Sequence, residues 1–164
     1  LGLFNSIFHL GSSPAYFGFM CRPADRERHT LENILETKSY TINQVQRSFY
    51  KNAHQASAKY PRNISEFEKV NLTPEYREEI IAPFVKESTI KFGLELAEAH
   101  NMLNKNTIII GQVKLISIPE NTIDESGFLQ LDTAQTIAGS GCDAYYETNF
   151  IEQLPYARPE NDNS

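Results

Sequence analysis

The stretch that most limits the fold is residues 106–118, NTIIIGQVKLISI, where β-branched residues follow one another almost without interruption. This composition favours a long strand. Gly111 interrupts the run, which predicts a bulge or a close backbone approach at that position. A second continuous apolar run, residues 15–21, predicts a strand that is buried on both faces.

Alternating residues predict further strands at 40–45 and 88–97. Short helices are predicted after an N-cap at Thr30, over 46–57, and from Ser65 and from Thr73. No Rossmann G-x-G-x-x-G motif and no P-loop occurs in the sequence. The pattern therefore predicts one domain over residues 1–164, mainly β with short helices, arranged as a closed antiparallel barrel. The last residues, about 157–164, are expected to be flexible, and because the chain lacks an initiator Met, a further strand could precede Leu1.

The charge balance argues against two classes of partner. The formal net charge is −6 at pH 7, so the basic surface typical of nucleic-acid binding is not expected. No polybasic run accompanies an apolar one, and no apolar run is long enough to span a bilayer, so no membrane contact is expected. The two cysteines, Cys21 and Cys142, lie far apart in the sequence. They predict reduced thiols in a cytoplasmic protein, although a single bridge between them stays open.

The sequence offers little support for side-chain catalysis. No G-x-S-x-G elbow is present, and the four histidines have no metal-ligand spacing. We therefore assign no catalytic residue and no metal ligand.

An anion site is better supported. Arg22, Arg26, Arg28 and His29 come directly before Thr30, where a helix is predicted to begin. Guanidinium groups beside the free N–H groups of a helix start suit a phosphate. The alternative is a charged loop that faces solvent. A second, weaker group of donors consists of His54, Ser57 and Lys59.

The first 21 residues form an apolar stretch that contains small polar residues. Asn5 and Ser6 follow Phe4, and Gly11, Ser12 and Ser13 precede the strand at 15–21. One interpretation is ordinary turn chemistry. The other is that the backbone here is left bare so that a flat polar ring can lie against it.

Several segments, taken in order, resemble the flavin reductase-like family, whose fold is the FMN-binding split barrel. They are FNSIFHLGSSPAYFGF, RPADRERHTLENILETKSYTIN, SEFEKVNLT, IIIGQV and YARP. The resemblance covers most of the chain and implies a homodimer that binds FMN, with FAD as the alternative, and that receives electrons from NAD(P)H.

The resemblance also implies a set of cofactor contacts. Asn5, Ser6, Ser12 and Ser13 would meet the isoalloxazine ring or the ribityl chain. Arg28 and Thr30 would meet the phosphate, supported by Arg22 and Asn33. His54, Ser57 and Lys59 would form a second set of contacts.

Three departures from the family pattern keep a second function open. No His precedes the IIIGQV strand, Gln112 stands where an acid is usual, and Ala15 follows Pro14. The expected function is an NAD(P)H-dependent flavin reductase or a related oxidoreductase, in which the flavin carries the redox chemistry. The alternatives are a non-catalytic flavin carrier or sensor of the same fold, and an interaction module with an empty groove.

Overall fold

The computed structural model describes residues 1–23 and 29–159. Arg26 and Arg28, two of the predicted phosphate ligands, lie outside the described residues, as does the end of the predicted flexible tail. The described elements, in chain order, are β1 (Phe8–Ser12), β2 (Ala15–Cys21), α1 (His29–Thr37), β3 (Ser39–Asn43), α2 (Tyr50–Gln55), α3 (Glu66–Lys69), β4 (Pro74–Arg77), β5 (Ile80–Val85), β6 (Lys91–Asn101), β7 (Thr107–Ser117), a 3-10 turn (Glu120–Thr122), β8 (Ile137–Ser140) and β9 (Ala144–Glu147). The chain is therefore mainly β with short helices, as predicted.

One antiparallel sheet forms the body of the molecule. Its five strands lie in the order β1-β2-β7-β6-β3. The hairpin β4–β5 packs against β3, where the Thr41 hydroxyl donates to the Pro83 carbonyl at 2.8 Å and the Val85 N–H donates to Asn43 Oδ1 at 2.9 Å. Two further strands, β8 and β9, pair only with each other among the described strands.

Of the two alternatives for Gly111, the structure shows a close approach. Gly111 pairs with Phe17 on β2 and with Leu96 on β6, and the extra residue of the nearby bulge, between Leu96 and Glu98, belongs to β6. A Cβ atom at Gly111 would lie 2.2 Å from the Tyr40 hydroxyl oxygen. Glycine is therefore favoured at position 111, because a larger residue would overlap the Tyr40 side chain.

Several predicted elements are corrected. The strands predicted at 40–45 and 88–97 lie at Ser39–Asn43 and Lys91–Asn101. Residues 74–77 form strand β4 and not a helix, because they alternate between exposed and half-buried positions and pair with β5. Helix α1 begins at His29, so Thr30 lies in its first turn instead of capping it. The helix predicted over 46–57 is confined to Tyr50–Gln55. By contrast, strand β2 has the predicted bounds, and Ser65 occupies the N-cap position of α3 as predicted, although its side chain forms no capping hydrogen bond.

The apolar side chains form two separate clusters. The first lies inside the sheet and under α1, and contains Phe19, Cys21, Leu31, Ile34, Tyr40, Ile42, Leu94 and Ile109. The second lies between α2, α3 and β5, and contains Phe49, Ala53, Ala56, Phe67, Val70, Leu72 and Val85. The cleft described next lies where residues of both clusters come close to the surface.

Candidate functional site

A cleft of about 1460 Å³ lies between residues of the sheet and the segments around it. Its walls come from the N-terminal segment, the end of β2, the start of α1, the residues after β3 and after α2, and the β8–β9 hairpin. This volume exceeds the usual range for small-molecule pockets. The cleft can therefore accept a ligand as large as a nucleotide.

Polar and charged side chains line part of the cleft. Arg22 follows β2, and Thr30 lies in the first turn of α1. No described residue hydrogen-bonds to the Thr30 hydroxyl, whose oxygen is near the backbone of Gly2. Lys59, exposed after α2, adds a second basic side chain to the lining, and Glu66 and Asp143 add two carboxylates.

The other walls are apolar and aromatic. The rings of Phe17 and Phe92 meet edge to face, with centroids 5.2 Å apart. Phe4 lies against Phe19 at 4.8 Å, and Ile42 and Ile90 complete this wall. Flat rings pack well on such surfaces, so the cleft combines an aromatic wall with polar and charged side chains.

Six of the eleven predicted contacts line this cleft: Asn5, Ser6, Arg22, Thr30, Ser57 and Lys59. The hydroxyl groups of two of these six residues form hydrogen bonds to the backbone. The Ser6 hydroxyl accepts a hydrogen bond from the Met20 N–H at 3.2 Å, which ties the N-terminal segment to β2. The Ser57 hydroxyl donates to the His54 carbonyl at 2.7 Å.

Four predicted contacts lie elsewhere in this chain. Ser12 and Ser13 form the exposed turn between β1 and β2, next to the cis peptide of Pro14. Asn33 lies on the exposed face of α1, and its carbonyl accepts from Thr37. His54 does not line the cleft, but it contacts a residue that does. The fifth remaining residue, Arg28, lies outside the described part of the chain.

The β8–β9 hairpin covers part of the cleft and contacts three of the predicted ligands. Asn5 Nδ2 donates to the Gly141 carbonyl at 2.6 Å. The Arg22 guanidinium donates to Cys142 Sγ at 3.2 Å, and this contact raises the pKa of Arg22. His54 Nδ1 lies 2.7 Å from the Tyr145 hydroxyl.

Tyr145 is the hairpin residue that is most closely packed. Its ring meets His54 edge to face at 5.7 Å and lies 5.5 Å from the ring of Tyr50. Burial, and to a lesser extent the carboxylate of Asp143, raise the pKa of Tyr145.

Sequence reasoning missed this hairpin as part of the site. Residues 137–145 line the cleft, but the run IAGSGCDA is rich in glycine and small polar residues, which are poor strand formers. The available signal was Gly141, whose φ of 63° suits the tight turn of a hairpin.

Two kinds of site are not found in the described part of the chain. No three His, Cys, Asp or Glu side chains converge there as they would around a metal ion. Nor does any helix described by the structure have the length and apolar character needed to cross a lipid bilayer.

A comparison with known families decides the relationship. The model of the flavin reductase-like domain matches residues 3–136. The chain belongs to this family. Membership supports a flavin-related function, and it covers every element of the cleft except the β8–β9 hairpin, which begins at Ile137.

Similar structures confirm the split barrel. A split-barrel-domain protein from Shewanella frigidimarina NCIMB 400, proposed to be a flavin reductase, is 41% identical, with a TM-score of 0.90 over 95% of this chain and 78% of that chain. Flavoredoxin of Desulfovibrio vulgaris (Miyazaki F) shares the fold at 20% identity, with a TM-score of 0.80 over 95% of this chain and 82% of that one.

A curated relative from Aquifex aeolicus (strain VF5), described as an uncharacterized protein, is 28% identical over 99 residues. The match covers 60% of this chain and 50% of the relative. The matched region thus spans half the length of that relative.

Proposed function

We propose that this chain binds FMN in the cleft and acts as an NAD(P)H-dependent flavin reductase or a related oxidoreductase. The observation that carries the proposal is the lining of the site: aromatic rings and the donors Arg22, Thr30 and Lys59 share one cleft of about 1460 Å³. Membership in the flavin reductase-like family supports the same ligand class.

The residues present suit a phosphorylated flavin. Arg22, directly after β2, and the Thr30 hydroxyl, in the first turn of α1, both line the cleft and are the kinds of donor that bind a phosphate group. Phe17, Phe92 and Ile42 supply the apolar surface for the ring. When bound, the flavin supplies the redox chemistry by accepting and passing on electrons.

The protein's own contribution is to bind, orient and shield the ligand. Arg22 and Thr30 would fix the phosphate, the aromatic wall would hold the plane of the ring, and the β8–β9 hairpin would limit access of water. No general acid or base is assigned, because binding and orientation are what this site must provide to a redox cofactor.

A visible spectrum and a titration test the proposal. Purified protein with added FMN should quench the fluorescence of the flavin, and addition of NADH or NADPH should bleach the bound flavin at 450 nm. Tight binding without bleaching by either nucleotide would identify a carrier or sensor instead. Absence of binding, with no rise in melting temperature on addition of FMN, would refute both functions.

Replacement of Arg22 by Gln tests the place of the phosphate. FMN should bind about tenfold or more weakly to Arg22→Gln, because a charge-assisted contact is lost. Riboflavin, which lacks the phosphate, should lose much less. Arg62→Gln is the matched control, since Arg62 is exposed, pairs with Glu32 and does not line the cleft. Equal losses for both ligands would place the phosphate elsewhere.

A homodimer and a cytoplasmic location belong to the same proposal. The dimer is supported by the C-terminal arm, residues 148–158, which forms no helix or strand and exposes large apolar side chains. Surfaces of this kind are typical of interfaces. The location is supported by the cysteine content, because two cysteines far apart in the sequence do not make the disulfide framework typical of small secreted domains.

A further inference from the structure

The β8–β9 hairpin engages the polar groups that an anionic ligand would need. Asn5 Nδ2 donates to the carbonyl of Gly141 at 2.6 Å, and the Arg22 guanidinium donates to Cys142 Sγ at 3.2 Å. Both donors line the cleft, and both acceptors lie in the turn between β8 and β9.

We infer that this hairpin is an internal occupant of the phosphate end of the cleft, and that a flavin phosphate binds only when the turn at 141–143 moves away from Asn5 and Arg22. The inference rests on the proposed function, because it takes the phosphate of FMN as the competing ligand. It adds a regulatory element, residues 137–147, to the site.

The exchange of partners favours the ligand. A sulfur atom is a weak hydrogen-bond acceptor, whereas a phosphate forms short, charge-assisted hydrogen bonds with a guanidinium. Arg22 therefore gains on exchanging Cys142 for phosphate. Asn5 exchanges one neutral acceptor, the Gly141 carbonyl, for another acceptor on the ligand.

The hairpin is built so that its tip can move while its base stays fixed. The base is held by the buried Thr136, whose carbonyl accepts from the Thr148 hydroxyl at 3.0 Å, and by Ile137 N–H, which donates to the Val45 carbonyl at 3.1 Å. Each strand has four residues, and the side chains other than Ile137 and Tyr145 are exposed. A two-stranded hairpin of this kind has little stability of its own.

Tyr145 acts as the latch of the closed position. Its hydroxyl contacts His54 Nδ1 at 2.7 Å, and it is the half-buried residue of β9. When only the open fraction of molecules can bind, the apparent affinity falls in proportion to that fraction. Weakening the latch should therefore strengthen FMN binding, even though no ligand contact has been added.

A reversible disulfide tests the movement directly. A Cβ atom at Gly139 would lie 3.7 Å from Asn5 Cβ, which is within the range for a disulfide. Asn5→Cys/Gly139→Cys, in a Cys142→Ser background, can be oxidised with oxidised glutathione and reduced again with a phosphine. The oxidised form should bind FMN at least tenfold more weakly than the same protein after reduction. The two single-cysteine variants in that background are the controls, and oxidation should leave their affinity unchanged.

The latch is tested in a protein that retains Asn5 and Arg22. Tyr145→Phe should lower the dissociation constant for FMN about two- to tenfold, because one hydrogen bond of the closed state is lost. Tyr146→Phe is the matched control, since Tyr146 is the exposed neighbour on the same strand and does not line the cleft. Unchanged or weaker binding to Tyr145→Phe would contradict the latch.

The outcomes separate the inference from the proposed function. If wild-type protein binds FMN and the disulfide does not alter its affinity, only the inference fails. If wild-type protein binds no FMN, the proposed function fails and the inference fails with it. If the reduced double-cysteine variant has lost binding through the change at Asn5, the affinity of Tyr145→Phe decides.

Discussion

At the scale of single residues, the contact between Tyr40 and Gly111 has the clearest energetic meaning. Tyr40 is 5% exposed, and its hydroxyl has no hydrogen-bond partner among the described residues. Burial, with a smaller contribution from Cys21, raises the pKa of this phenol. The hydroxyl is thus an uncharged polar group that was desolvated without compensation, which costs free energy.

Removal of that hydroxyl should stabilise the protein. Tyr40→Phe keeps the ring that packs on Phe19 and should raise the free energy of unfolding by about 1 kcal/mol. Tyr156→Phe, at an exposed position, should change it by less than about 0.5 kcal/mol. Urea unfolding followed by circular dichroism measures both. A loss of stability in Tyr40→Phe would mean that the hydroxyl does have a partner.

The same contact predicts that a larger residue at position 111 should destabilise the protein. Gly111→Ala would place a methyl group against the Tyr40 ring and should lower the free energy of unfolding by about 1–3 kcal/mol. In the background of Tyr40→Phe, the loss should be smaller, since the nearest atom to that methyl group is the hydroxyl oxygen itself. Additive effects in the double variant would contradict the contact.

At the scale of elements, an ion pair joins the β4–β5 hairpin to β6. Glu75 Oε2 lies 2.5 Å from the ammonium group of Lys91, which is buried, and Glu75 also binds Arg77. The hydrogen bond from Lys91 lowers the pKa of Glu75 below its ordinary value of 4.5, and Arg77 adds to this effect. The ion pair of Glu75 with Lys91 therefore ties the short β4–β5 hairpin to β6.

Removal of the carboxylate should be costly because it leaves a buried charge unpaired. Glu75→Gln should lower the free energy of unfolding at pH 7 by about 3 kcal/mol. Since the folded state depresses the pKa of Glu75, its contribution is present above the ordinary value of 4.5 and is lost as the pH falls through the lowered value. The difference from wild type should therefore shrink at acid pH. Glu98→Gln, which removes an exposed partner of His100, is the control and should cost less than about 1 kcal/mol. A difference that stays constant down to pH 3 would contradict the assignment.

The elements also show what the sequence can and cannot predict. Residues 15–21 and 107–117 were predictable because continuous apolar or β-branched residues leave few alternatives to a buried strand. Residues 74–77 were predicted wrongly, because Thr73 followed by acidic residues resembles a helix start, whereas pairing with β5 decides their conformation. The contribution of Asn5, Arg22 and Thr30 to the cleft could be predicted from the sequence. The covering hairpin could not, because its place depends on contacts with residues more than a hundred positions away in the sequence.

At the scale of the whole molecule, the C-terminal arm is the feature that most needs a partner. Ile151 and Tyr156 are each 90% exposed and Leu154 is 72% exposed, while Phe150 touches only the ring of Phe128 among described aromatic residues. Exposed apolar side chains on an extended segment are typical of a surface that is buried against a partner. This agrees with the proposed homodimer, in which the arm would pack on the second copy.

Charges placed in the arm should separate the two copies. Ile151→Glu/Leu154→Glu should shift the sedimentation coefficient from that of a dimer to that of a monomer, because unpaired carboxylates would have to be buried at the interface. Leu103→Glu, the same kind of change at the fully exposed β6–β7 turn, should leave the dimer intact. A dimer that persists in the arm variant would place the interface elsewhere.

The division of the apolar interior into two clusters has a consequence for how the molecule comes apart. The sheet cluster is sealed by long strands, with Leu94 and Ile109 inaccessible to solvent, while the cluster around α2 and α3 rests on short helices of six and four residues. The helical side can loosen without breaking the ladder of β6 and β7. Amide protons of residues 50–70 should therefore exchange with deuterium long before those of 107–113. The helical region would then unfold locally while the sheet stays intact.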